Sequence, residues 1–149
     1  YVVSKWLGGT LTNFETVREN LKRLEGLRTQ QEKGEWETLT KQEKKRKTDL
    51  TQKLEARFAG LTTLTQLPDA LFVVDAQEEK TAVEEARKLG LTIFAIVDTN
   101  GNPELIDYPI PANDDAAKAV DFIVARMADA IKTGVAKRPK AKVEKKEHE

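Results

Sequence analysis

Leu71-Phe72-Val73-Val74-Asp75 and Ile93-Phe94-Ala95-Ile96-Val97-Asp98 decide the fold. Each is a continuous apolar run closed by an aspartate. A strand with one wet face alternates apolar and polar residues; these do not, so they read as strands covered on both faces of a parallel sheet. Between them, residues 78–89 place Ala82, Val83, Ala86 and Leu89 on one helical face, and Gly90 follows as a C-cap. Strand, helix and strand at this length make a βαβ unit. Further on, Asn100-Gly101-Asn102-Pro103 is a turn or loop, and Tyr108 to Ile110, flanked by prolines, is a short edge strand. Asn113 or Asp114 caps a last helix through about Lys132, with Ala117, Val120, Val124, Met127 and Ile131 inward and Gly134 at its end. Residues 135–149 are rich in lysine and glutamate and poor in apolar side chains, and they are expected to be disordered.

Upstream of this unit the periodicity changes. Phe14, Val17, Leu21 and Leu24 are spaced three, four and three apart, the narrow seam of a coiled coil. Thr29 to Thr38 form the turn region, and the sequence leaves Trp36 open between packing there and facing solvent. Thr40-Lys41-Gln42-Glu43 is a capping box that starts a second helix carrying Leu50, Leu54, Phe58 and Leu61. Two such helices form an antiparallel hairpin, and seams this narrow suit an arm that protrudes with each helix buried mainly against the other. The hairpin joins Tyr1 to Val3, read as a short strand, through Lys5-Trp6-Leu7-Gly8-Gly9-Thr10-Leu11-Thr12-Asn13. There Thr12 with Glu15 reads as another capping box, with Asn13 as the alternative cap. The expected organisation is 1–13 strand and junction, 14–64 hairpin, 65–134 α/β domain and 135–149 tail.

Composition narrows the function classes. No apolar run approaches the ~20 residues that span a bilayer. No cysteine is present, which removes disulfides, thiolate nucleophiles and cysteine metal sites. The single histidine, His148, lies in the charged tail, so no Ser-His-Asp set forms. The formal charge of zero conceals a pattern. Residues 1–65 carry 13 Lys/Arg and 9 Asp/Glu (net +4), residues 66–115 carry 3 and 11 (net −8), and residues 116–149 carry 9 and 5 (net +4). A polyanion would meet the ends and avoid the middle.

Three constellations are candidates for chemistry. Asp75 and Asp98 end parallel strands and Asp114 opens a helix nearby, the edge where α/β sheets place ligands. Clustered carboxylates there can hold Mg²⁺ for phosphoryl transfer, although loop and cap aspartates are commoner. Gly8-Gly9 lacks the three-glycine spacing of a dinucleotide site. Lys41, Lys44, Lys45, Arg46 and Lys47 are the densest basic cluster outside the tail, near the hairpin tip. A basic tip suits phosphate contacts, which position an RNA without reading its sequence.

Trp6-Leu7-Gly8-Gly9-Thr10-Leu11-Thr12-Asn13, Leu67-Pro68-Asp69-Ala70-Leu71-Phe72-Val73-Val74-Asp75 and Asp107-Tyr108-Pro109-Ile110-Pro111-Ala112-Asn113-Asp114-Asp115-Ala116 together resemble bacterial-type small-subunit ribosomal protein two, the S-two family. Glu79 to Gly90 and Ala95-Ile96-Val97-Asp98-Thr99-Asn100 match as well, so the resemblance covers about residues 1–133. It implies a flavodoxin-like three-layer α/β/α parallel sheet with a protruding antiparallel coiled-coil hairpin. It also implies a structural role without catalysis, in a cytoplasmic or organellar ribosome. The implied partners are small-subunit rRNA and other small-subunit proteins, including the large first protein; no cofactor, metal, membrane or small-molecule substrate is implied. Carried over by position, Lys5, Trp6, Thr12, Asn13, Arg18, Lys22, Lys41, Lys44, Lys45, Arg46 and Lys47 are the expected rRNA contacts. The alternative from another class is a coiled-coil adaptor on an α/β domain, without nucleic acid.

Thr92 stands where the family usually has proline or alanine, and Ala112 where glycine is common. The family's amino-terminal helix and first strand have no counterpart, so the chain reads as a fragment. In the strand order 2-1-3-4-5 that strand lies between Tyr1–Val3 and Leu71–Val74, and its absence leaves two edges unpaired. Low stability of the isolated chain follows. A broad thermal transition by circular dichroism is expected, and a sharp cooperative one would contradict it.

Overall fold

The computed structural model describes residues 1–2 and 5–137. The α/β part is a parallel sheet of β1 (Ala70–Val74), β2 (Thr92–Val97) and β3 (Tyr108–Pro111) in the order β1-β2-β3. The register sets Leu71 beside Ile93, Val73 beside Ala95, and Ile96 beside Ile110. Helix α3 (Lys80–Lys88) makes the crossover from β1 to β2. Its Val83 and Ala86 pack with Val73, Ile93, Ala95 and Val97 of the sheet, and with Leu11 and Ile106. Burying a side chain such as Val83 or Ile93 stabilises by roughly 1.5–3 kcal/mol. The continuous apolar runs are thus explained on this face. On the other face Phe94 stacks on Tyr108 with ring centroids 4.7 Å apart, and Tyr108 stays exposed.

Gly90 ends α3 as expected. Its φ of 69° is left-handed, Gly90 N donates to Arg87 O, and Leu91 N donates to Ala86 O, the paired bonds of a Schellman stop. Leu89, expected inward, is exposed, because the chain has already left the helix at that point.

Helix α1 runs Phe14–Glu32 and α2 runs Lys41–Phe58, so the turn is shorter than Thr29 to Thr38 and Gly26 does not interrupt the first helix. Val17, Leu21, Leu24, Leu27, Leu54 and Phe58 form a cluster of their own, separate from that of the sheet. The Arg28–Glu55 ion pair and the Lys47–Gln30 hydrogen bond lie progressively nearer the turn, as two helices running back along each other require. Trp36 packs into this cluster. The Thr40 box is formed in both directions, Glu43 N donating to Thr40 Oγ1 and Thr40 N to Glu43 Oε2. The second box is not formed. Asn13 takes the N-cap position of α1, Thr12 bonds elsewhere, and Glu15 pairs with Arg18.

Two further expectations are corrected. Tyr1 and Val2 form no strand; Val3 lies outside the described residues. The Tyr1 ammonium donates to Gly60 O at 2.7 Å, which takes this segment to the end of α2 rather than to a sheet edge. Helix α4 spans Ala117–Lys137 and passes through Gly134. Asn113 Oδ1 accepts from Asp115 N and Ala116 N just ahead of it. Val124 and Ile131, expected inward, are exposed, as is Ala117, whereas Val120 and Met127 are half-buried. His148 and the tail beyond Lys137 lie outside the described residues.

The two separate clusters predict separable stability. Leu24→Ala removes a side chain with no exposure from the hairpin cluster, at a cost of about 2–5 kcal/mol. Hydrogen exchange should accelerate in α1 and α2 well before it does in β2; equal acceleration in both would show one cooperative core.

Candidate nucleic-acid interface

The junction between hairpin and sheet is organised by one carboxylate. Glu85 of α3 is 7% exposed and reaches across to the Trp6–Thr12 loop. Its Oε1 accepts from Gly9 N at 2.7 Å and Trp6 Nε1 at 3.2 Å. Its Oε2 accepts from Leu11 N at 2.9 Å, Thr12 N at 3.0 Å and Thr12 Oγ1 at 3.2 Å. Gly9 makes the convergence possible, since its φ of 91° turns successive N–H groups toward one point. The loop is held from within as well, Thr10 Oγ1 donating to Leu7 O at 2.6 Å. Burial pushes the Glu85 carboxyl up, but the hydrogen bonds from Thr12, Leu11, Gly9 and Trp6 together outweigh it and hold the carboxyl below its ordinary value.

Among the expected contact residues, Trp6 and Thr12 therefore spend donors inward. Lys5 and Asn13 stay exposed on either side of the clamp, and Asn13 Oδ1 accepts from the Thr16 hydroxyl. The clamp escaped the sequence reading. Its signal is a glutamate on the apolar face of a short helix, three residues after Ala82 and next to Ala86.

The basic cluster near the turn divides in two. Lys44 Nζ donates to Glu37 O at 3.1 Å, and Lys47 Nζ donates to Gln30 Oε1 at 2.8 Å. Lys47 also lies 5.7 Å from the centre of the buried Trp36 ring, in cation–π range. These two half-buried lysines tie the turn to the helices. Lys41, Lys45 and Arg46 remain exposed. Lys41 and Lys45 are one helical turn apart on a single face. Along α1, Arg18 pairs with Glu15 at 2.6 Å, a surface pair of small worth, and Lys22 is exposed.

The carboxylates at the sheet edge are committed to loops. Asp75 has a φ of 62° and its Oδ1 accepts from Gln77 N and Glu78 N. Asp98 Oδ1 accepts from Thr99 N. Asp114 is raised from its ordinary value by partial desolvation and by the charges of Asp75 and Asp98. Among the described residues no three such side chains are grouped to hold a metal ion. The strand edge thus repels anions, while the hairpin offers them cations.

A parallel α/β sheet carrying a helical arm with outward lysines and arginines defines a class: an α/β protein with a basic arm, in which the arm and not the strand edge is the candidate interface. The model of the family Ribosomal protein S2 matches residues 1–134, and the chain belongs to that family. It is 42% identical over 146 residues to the small ribosomal subunit protein uS2 of Salinibacter ruber, covering 98% of this chain and 46% of that protein. It is 49% identical over 134 residues to uS2 of a Psychrobacter species (90% and 51%) and 49% identical over 130 residues to uS2 of Roseiflexus castenholzii (87% and 49%). The chain spans about half the length of the curated relatives it matches.

The clamp makes a pH-dependent prediction. A carboxyl held below its ordinary value binds fewer protons in the native state than in the unfolded chain. Its contribution is complete above the unfolded value and is lost as pH falls through the lowered native one. Glu85→Gln turns an amide NH₂ toward backbone N–H groups, leaving donors unsatisfied at a cost of about 1–3 kcal/mol at pH 7. Urea titrations at neutral and acid pH should show that the variant loses less stability on acidification than the parent; parallel losses would remove Glu85 as the source.

Proposed function

We propose that this chain acts as an rRNA-binding structural part of the small ribosomal subunit, without catalysis. Its partners in this reading are small-subunit rRNA and neighbouring small-subunit proteins, including the large first protein, in the ribosomes of the bacterial cytoplasm or of an organelle. The observation that carries the reading is the exposed cationic face of α2, with Lys41 and Lys45 on one side and Arg46 beside them. Lys44 and Lys47 hold the turn beneath that face. Three unburied cations on a helix braced by its own lysines suit phosphate contacts, which need charge at fixed positions and no base readout. The relatives, named as small ribosomal subunit proteins, point the same way.

The parts then divide as follows. Residues 14–64 form a coiled-coil arm that projects to the RNA, with Arg18 and Lys22 extending the contact along α1. Residues 1–13 set the angle of the arm. Lys5 and Asn13 are contact groups there, while Trp6 and Thr12 act through the Glu85 clamp. Residues 65–134 carry most of the negative charge and face protein neighbours rather than RNA.

Binding of the 149-residue chain to small-subunit rRNA should weaken steeply with salt, with a log–log slope of about 0.7–0.9 per phosphate contact. Replacing Lys41, Lys45 and Arg46 together by glutamate should lower affinity at least about tenfold and flatten the slope by about 2. Replacing Asp75 and Asp98 by asparagine should leave both unchanged. Salt-independent binding, or a slope indifferent to the triple change, would refute the α2 contact.

A further inference from the structure

A cleft of about 490 Å³ lies between α1 and residues 62–65, which follow α2. Its α1 wall carries Arg18, Lys22 and Arg28, with Glu25 as the one carboxylate of the lining. Arg18 and Lys22 are one helical turn apart, about 6 Å along the axis. The floor is apolar, made by Leu21 and Leu64, and Leu64 is fixed by its N–H donating to Leu61 O at 2.9 Å. Exposed Thr62 and Thr65 form the far rim.

Arg28 differs from the other two cations. Its Nε and Nη2 both approach Glu55 Oε1, at 2.9 and 2.8 Å, so its guanidinium is held in one orientation across to α2. A fixed guanidinium plane beside an apolar floor is a surface on which an unstacked base can lie. Lys22 and the weakly paired Arg18 are then placed for phosphates.

We propose that this cleft binds a single-stranded, unstacked segment of RNA, with bases against Arg28 and the leucine floor and phosphates on Arg18 and Lys22. The proposal rests on the rRNA-binding reading above and adds contact with unstacked bases along the α1 side of the same arm. RNA is favoured over an acidic peptide because the cleft joins flat apolar contact to cations. Its walls are a helix and a hydrogen-bonded turn, which offer no open strand edge to an extended peptide chain.

The test is fluorescence titration of the 149-residue chain with a labelled 12-nucleotide oligouridylate, with RNA duplex and oligoglutamate as competitors. Lys22→Ala should weaken oligouridylate binding about three- to tenfold and lower the salt slope by about 0.7. Arg28→Lys keeps the charge and loses the plane, so affinity should fall about fivefold or more with the slope unchanged. Glu25→Gln removes the one carboxylate of the lining and should tighten binding about two- to fivefold. Both Lys22 and Glu25 are exposed, so unchanged melting temperatures will separate loss of contact from loss of fold. Amide shifts at Thr62, Leu64 and Thr65 on adding oligouridylate are the direct signature. If rRNA still binds through Lys41, Lys45 and Arg46 while these three substitutions change nothing, the cleft proposal alone fails. It also fails if duplex or oligoglutamate competes as well as oligouridylate. Absence of any salt-dependent RNA binding overturns the rRNA reading and the cleft proposal together.

Discussion

The carboxylate of Glu85 holds hairpin and sheet in register. Three backbone N–H groups, an indole N–H and a hydroxyl from the Trp6–Thr12 loop all point at its two oxygens. A loop turned by Gly9 presents more donors than its own carbonyls can satisfy, and a buried unpaired N–H costs about 1–3 kcal/mol. A carboxylate takes several donors at once and is ionised at neutral pH, so each bond is charge-assisted. One side chain thereby fixes where α1 begins. Leu11, at the centre of the clamped loop, is buried in the sheet cluster, while Leu7 and Phe14 on either side pack against the hairpin cluster.

From that joint, the two parts diverge in core and in charge. The sheet core is built from β-branched and small residues between β1, β2 and α3, whereas the hairpin core is mostly leucine, closed at the turn by Trp36. The hairpin surface is lysine- and arginine-rich and the region after it is acidic. Such a field favours an anion at the arm over the strand ends, where partial desolvation and the charges of Asp75 and Asp98 raise Asp114.

How much was legible in the sequence depended on the range of the interaction. The βαβ unit followed from two unbroken apolar runs and a helical period between them. The Gly90 stop and the Thr40 box are local hydrogen-bond patterns within a few residues, and both are found as read. The Thr12 box looked identical in sequence but is absent, because the donors of Thr12 had a stronger acceptor 73 residues away. Of five clustered basic residues, composition could not tell which would turn inward. Lys44 and Lys47 did so because Glu37 O, Gln30 and the Trp36 ring lie beneath them.

The sequence by itself determined the parallel sheet, the paired helices, the polarity of the charge and the family, since periodicity, turn chemistry and motif order are properties of neighbours along the chain. Only the tertiary structure decided which donors are spent and which cations remain. Glu85 shows its role only once the loop is laid over α3. Arg28 reads as one more cation until Glu55 fixes its plane. Of the α4 positions that read as inward, Val120 and Met127 are half-buried while Ala117, Val124 and Ile131 stay exposed. Burial and pairing belong to contacts between distant segments, and a pattern within one segment can propose a face but cannot supply what covers it.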